Sequence, residues 1–354
     1  TEMLGVLRGQ VENPPLSPYS TAAAMTGYLV FGMHDWAPYV INTIALIAFY
    51  AFVAYFGRGM SLGLRVCLML AVTPIPMVAM GAQEFRPDFL SALLTAGGAL
   101  MIVAEPVVAG TARRKLLIGA IFGASVIVKP TALPATVAIM GLSWLLAGAT
   151  HLWMRGGREL PAVVKTGLLL IAGFLAAAGP FLALDRGRAL KYAWFHTRGP
   201  GAFFWQKRSL GEALRYSLDG AAGQLMLGRY VYWLLGIIVV GGVGNALKGL
   251  CMQTVLAAAY VICALAPKHV FFSLPFQVLL VFVALLTVRR AILGGEGGAV
   301  APRAGAAALV LLTGASIASF QFPHIWNPAG STRAAESSAM YDRLYDRIVA
   351  LLPG

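Results

Sequence analysis

The chain of 354 residues is 59% hydrophobic and only 12% charged, with a formal charge of +13. Soluble domains carry about a quarter of their residues as charges, so the composition excludes an ordinary soluble fold and indicates an integral membrane protein. The positive balance does not point to nucleic acid, because in such a chain Lys and Arg first set orientation in the bilayer.

Residues 1–34 have neither a basic n-region nor the apolar run of a signal peptide, and are expected to form an external loop with an interfacial helix. Because the chain opens on Thr1 rather than Met, a longer protein that starts upstream is expected. From residue 35 to residue 322 apolar runs recur at about the 20 residues that a bilayer core demands. Punctuation by Pro, Gly and charge divides them into about ten spans: 35–57, 62–80, 88–108, 115–128, 131–152, 162–184, 229–246, 250–266, 269–290 and 304–322. The predicted organisation is an all-α polytopic bundle over 35–322, interrupted by an external amphipathic loop at 185–228. An external tail follows at 323–354, with its own amphipathic helix.

Alternating loops gather Arg58, Arg65, Arg113, Arg114, Lys115, Arg155, Arg158, Lys165, Lys248, Arg289, Arg290 and Arg303 on one side. Short basic loops are cytoplasmic, which puts the opposite loops, with most of the acidic residues, outside. Glu84, Arg86 and Asp88 crowd into one of those outer turns, "GAQEFRPDFLS" at 81–91. Lys129 and Pro130 form a tight outer hairpin, and Pro74, Pro76, Pro180 and Pro275 are expected to interrupt helices near the same level. Broken helix ends there are compatible with a wet cavity.

An acid at the rim of a span is costly unless paired or wet, which makes Asp88 the leading candidate. Two readings of it stay open: a functional acid, or the N-cap of a helix beginning at Phe89. Lys129 and Lys268 are isolated cations beside prolines, either snorkelling to headgroups or, with Arg86, binding a phosphate. The 185–228 loop offers Ser209 and Glu212 as a capping box opening an amphipathic helix. The histidines are scattered, without an i, i+4 pair, so no zinc site is expected. Cys67, Cys251 and Cys263 fall in apolar helices as buried thiols.

Four stretches in order, "ENPPLSPYSTAAAMTGYLVFG", "RPDFLSALLTAGGAL", "GAIFGASVIVKPTALP" and "APKHVFFSLPFQVLL", resemble the membrane region of the GT-C glycosyltransferases. Within that family they are most similar to the protein O-mannosyltransferases and the lipid A aminoarabinose transferase. The resemblance implies a GT-C-like bundle of about ten transmembrane helices with amphipathic interfacial helices on its outer face. It further implies inverting transfer of a sugar from a polyprenyl-phosphate donor to a lipid, glycan or protein acceptor. The site would face the periplasm or exterior of a bacterial inner membrane.

By matched position, Asp88 corresponds to the acid of the family's outer cavity, Lys129 to its hairpin lysine and Lys268 to the lysine before a later helix. Asp88 and Glu84 are therefore the candidate catalytic acids, and Arg86, Lys129 and Lys268 the candidate donor-phosphate ligands. No cofactor is assigned, although a divalent metal would suit the acids. Two departures stand out. The family's main carboxylate precedes a stretch similar to "TEML" at 1–4, so it would lie before Thr1, and the lysine that the lipid A enzymes place before paired prolines is Asn13 here. The physical requirement is that residues 88, 129 and 268 meet in one lipid-accessible hollow on the non-cytosolic side. A lipid or glycan transporter, and a non-catalytic lipid-binding subunit, are the rival expectations.

Overall fold

A computed structural model gives the fold and describes residues 18–32, 34, 37, 39–75, 87–103, 107–184, 230–242, 274–293 and 300–319. Among these residues there are ten α-helices, two 3-10 turns and no strand. The helices are α1 (Pro18–Phe31), α2 (Tyr39–Phe56), α3 (Leu62–Val72), α4 (Asp88–Val103), α5 (Ala112–Val128), α6 (Leu133–Arg155), α7 (Leu160–Leu184), α8 (Tyr230–Gly242), α9 (Leu274–Leu293) and α10 (Val300–Ser319). The protein is all-α. Three helical segments among the described residues are long and apolar enough to cross a bilayer: Pro130–Arg155, Gly157–Leu184 and Leu274–Leu293. Shorter apolar helices include Leu62–Val72 and Asp88–Val103. The expected span 250–266, the 185–228 loop and the 323–354 tail lie outside the described residues.

Local chemistry sets the helix ends. Thr111 caps α5, its hydroxyl accepting from the Arg114 amide at 3.3 Å. Proline in the first turn of α6 suits a position whose amide has no helical partner, and Gly156, at φ 90, closes the helix in a conformation L residues avoid. Thr73 and Pro74 terminate α3, as expected of that proline. Pro275 is the second residue of α9, and the residues before Leu274, like Pro76, lie outside the described ones. Pro180 behaves differently: α7 runs through it to Leu184 instead of breaking there. Near the C-terminal end only one helical bond is forfeited, and the packed neighbours hold the last turn.

Helix α9 is the axis of the bundle. Every residue from Leu274 to Leu286 is buried, the pattern of a helix enclosed on all sides. Phe282 meets Phe49, Phe52 and Phe56 of α2, with ring centroids 6.3, 4.7 and 6.2 Å away. Phe49 in turn meets Phe89 edge-on at 5.6 Å, which anchors the start of α4. Tyr230 is fully buried and donates to the Ala71 carbonyl at 3.0 Å, tying α8 to the end of α3. Cys67 is half-buried on α3, more open than expected.

The closest approach is between α5 and α7. A Cβ on Gly119 would sit 2.0 Å from the Leu170 carbonyl oxygen, and one on Gly173 the same distance from that of Leu116. A Cβ on Gly123 would lie 2.6 Å from the Phe174 oxygen. The rising register, 119 with 170 and 123 with 174, makes the pair parallel, and GxxxG spacing lets the backbones touch. On the other side of α7, Leu168, Ile171 and Leu175 remain 62%, 48% and 52% exposed, an apolar face suited to lipid.

Charge is divided between the two poles. Arg58, Arg65, Arg289, Arg290 and Arg303 lie near helix ends that come together where Gly59 meets Leu293 and Gly305 meets Ile292, and Arg113, Arg114, Lys115, Arg155, Arg158 and Lys165 lie near the helix ends away from the Asp88–Lys129 pair, where α4 leads to α5 and α6 to α7. Arg114 and Lys115 also do structural work there, donating to the carbonyl of Met101 in the last turn of α4 at 3.1 Å and to that of Val108 beyond it at 2.7 Å. At the other pole the charged side chains among the described residues are Asp88 and Lys129.

Candidate functional site

The site grows from two helix ends. Asp88 is the first residue of α4, not a cap preceding Phe89, and it occupies the positive end of that helix dipole. Lys129 directly follows α5, leaves the helix in an extended conformation (φ −139, ψ 92) and occupies the negative end of that dipole. Pro130 forces the departure, since the residue before a proline avoids helical geometry. The chain then turns through Pro130–Ala132 into α6, with the Ala132 amide returning to the Lys129 carbonyl at 2.9 Å.

Here the Lys129 ammonium donates to Asp88 Oδ1 across 41 residues of sequence. The side chains are 15% and 13% exposed, dry enough to strengthen the pair and open enough for a ligand to reach it. Each charge lies at the helix end that favours it. The pair therefore clamps α4 to α5, and it also stores an acid and a cation side by side.

Beneath the pair runs a buried seam of hydroxyls that sequence reasoning missed. Ser91 and Thr95 follow Asp88 at i+3 and i+7 on one face of α4, and Ser125 precedes Lys129 by one turn of α5. The Ser125 hydroxyl lies 2.9 Å from that of Ser91 and 2.7 Å from that of Thr95, and Thr95 lies 3.3 Å from the hydroxyl of Thr136 on α6. All four are at most 1% exposed. The seam descends roughly 10 Å, seven residues of helical rise, into the interior. Its signal was the shared spacing of Ser91, Thr95 and Ser125 from the two ionised residues.

The structure thus brings Asp88 and Lys129 together. Glu84, Arg86 and Lys268 lie outside the described residues, as do Ser209 and Glu212. Among the described residues no group of His, Cys, Asp or Glu is arranged to hold a metal ion. Comparison with protein-family models, with curated proteins and with solved structures finds no match to this chain.

Proposed function

We propose that the protein is a membrane glycosyltransferase of GT-C type, built on a bundle of about ten transmembrane helices. It moves a sugar from a polyprenyl-phosphate donor to a lipid, glycan or protein acceptor at the non-cytoplasmic face of a bacterial inner membrane. The observation that carries this reading is the Asp88–Lys129 pair, the meeting of an acid and a cation at the pole opposite the basic loops. Positive-inside orientation puts that pole outside, where a flipped lipid presents its headgroup.

In this reading the donor phosphate competes with Asp88 for Lys129, aided by Arg86 and Lys268. Displaced from its lysine, the Asp88 carboxylate turns to the acceptor, supported by Glu84. The acceptor hydroxyl attacks the anomeric carbon, its proton passes to a carboxylate, and the bond from that carbon to the phosphate oxygen breaks with its electron pair on the phosphate. The cations stabilise that departing charge.

The test is consumption of polyprenyl-phosphate-linked sugars by membranes containing the full chain. Asp88→Asn lowers turnover at least about 100-fold, the scale of a lost proton acceptor. Undiminished turnover would remove Asp88 from the chemistry.

The hydroxyl seam supports a second reading, a lipid or glycan transporter, because a polar track into a bundle is what a transported headgroup or proton needs. Liposomes separate the two. A transporter moves labelled polyprenyl phosphate between leaflets without cleaving it, whereas a transferase releases its sugar.

A further inference from the structure

We propose that the basic pole carries a binding site for the phosphate of an anionic phospholipid, formed by Tyr55, Arg58, Arg65 and Arg289. This site is independent of the Asp88–Lys129 pair and lies at the opposite end of the bundle.

Three separate segments converge on it: the turn after α2, the start of α3 and the end of α9. The turn after α2 presents Arg58, whose amide donates to the Tyr55 carbonyl at 3.1 Å. Arg65 reaches back over the same turn: its Nε donates to the Met60 carbonyl at 3.0 Å, and its Cγ would lie 3.2 Å from a Cβ on Gly57. Gly59 packs on Leu293, where a Cβ would be 3.5 Å from the leucine methyls, which brings in the end of α9. Gly305 packs on Ala291 and Ile292, which seats the start of α10 against the end of α9, while Arg303 lies exposed on the other face of α10.

Arg289 is the decisive residue. It is half-buried, its guanidinium lies 5.9 Å from the centre of the Tyr55 ring, and its Nε is sealed from solvent without a hydrogen-bond acceptor. A cationic N–H buried with no acceptor is unfavourable, and because the side chain as a whole is only half-buried, a small turn of the guanidinium toward the surface brings that N–H to a phosphate oxygen with the planar two-point geometry such groups favour. No protein acid does so among the described residues: Asp88 is at the far pole, and Glu159 lies beside His151 in the turn between α6 and α7.

Orientation alone does not account for this arrangement. Basic loops fix topology by their number, without converging, and at the turn between α4 and α5 the buried Lys115 and the neighbouring Arg114 both find carbonyl acceptors. Tyr55, 56% exposed, adds the amphipathic ring that settles at headgroup level. The required ligand chemistry is a phosphate ester, which either an inner-leaflet lipid or a free phosphate could provide. The Tyr55 ring and the apolar helix faces beside it favour the lipid.

The experiment is native mass spectrometry of the full chain in neutral detergent, with phosphatidylglycerol, phosphatidylcholine or inorganic phosphate added. Phosphatidylglycerol is retained in preference to phosphatidylcholine, and excess inorganic phosphate does not displace it. Arg289→Gln weakens retention roughly fivefold, and so does Arg58→Gln, an exposed position where folding is not at risk. Arg155→Gln, at the same pole but outside the cluster, leaves retention unchanged. Equal retention of the two lipids, displacement by inorganic phosphate, or an equal loss in Arg155→Gln would each overturn the proposal.

Discussion

Ser91 and Ser125 clasp each other across the boundary between α4 and α5: the hydroxyl of Ser125 donates to the Ser91 carbonyl at 3.0 Å, and that of Ser91 reaches the Ser125 carbonyl at 3.2 Å. Each serine is one helical turn from an ionised residue, Ser91 from Asp88 and Ser125 from Lys129. The clasp and the ion pair thus fix the same register between the two helices. A slip of one turn would undo both.

The first prediction concerns that clasp. Hydrogen bonds between helices in membranes contribute about 0.6 kcal/mol on average, because polar groups in the unfolded chain also find partners. Ser125 serves Ser91 and Thr95 at once, so Ser125→Ala should cost more than Ser91→Ala, about 1 to 2 kcal/mol in detergent unfolding. The double variant should show a coupling of about 1 kcal/mol in a double-mutant cycle. Strictly additive losses would mean that the two serines do not act together.

The second prediction separates the structural role of the Asp88–Lys129 pair from the chemical one proposed for it. Breaking the ion pair in a largely dry site is costly, so Asp88→Asn or Lys129→Met should each lower stability by about 2 kcal/mol, discounted from fully buried pairs for partial exposure. Removing both should restore much of that loss. Exchanging the residues, Asp88→Lys with Lys129→Asp, should restore less, because each charge would then oppose its helix dipole. Thermal unfolding in detergent measures all four. If the neutral double variant regains stability while sugar transfer stays abolished, the pair's contribution to chemistry exceeds its contribution to folding.

Some of this was legible in the sequence, and the reasons are specific. The length of the apolar runs gave an all-α chain, which the structure shows with three helices long and apolar enough to cross a bilayer, and Lys129–Pro130 marked a helix end that the structure reproduces. Asp88 and Lys129 were singled out because charge in apolar surroundings needs a partner, but nothing in the sequence said that each was the other's partner. The seam below them escaped notice because Ser and Thr are tolerated throughout transmembrane helices by bonding to their own backbone, so their presence carries little information until neighbours are known. Pro180 misled for a related reason: a proline signals a break only where packing cannot hold the turn, and packing is not written locally.

The third prediction tests the contact of α5 with α7. With a Cβ 2.0 Å from a backbone oxygen, Gly119→Val and Gly173→Val must each push the helices apart, at a cost of about 3 kcal/mol or more from overpacking and lost contact. Gly97 on α4 and Gly141 on α6 have open space where a Cβ would go. Gly97→Ala and Gly141→Ala should be neutral or stabilise by about 0.5 to 1 kcal/mol through helix propensity. Unfolding midpoints of the four variants decide the matter, and a loss at Gly141 equal to that at Gly119 would discard this account of the interface.

The fourth prediction asks whether α7 crosses the bilayer. Ile171 lies near the middle of the helix with 48% of its surface exposed, whereas Leu160 is the first residue, 53% exposed, at the basic pole. If α7 spans the membrane, Ile171→Arg places a charge close to the bilayer centre, where insertion is disfavoured by about 3 kcal/mol, while Leu160→Arg extends to the interface at little cost. The amount of each variant recovered in alkali-washed membranes should fall sharply for Ile171→Arg alone. On a helix with that face in water the two substitutions would be equally harmless, since both positions are half exposed and neither touches the core. Equal recovery would therefore argue against a span, and a loss confined to Ile171 would identify the exposed stripe of Leu168, Ile171 and Leu175 as the lipid-facing side.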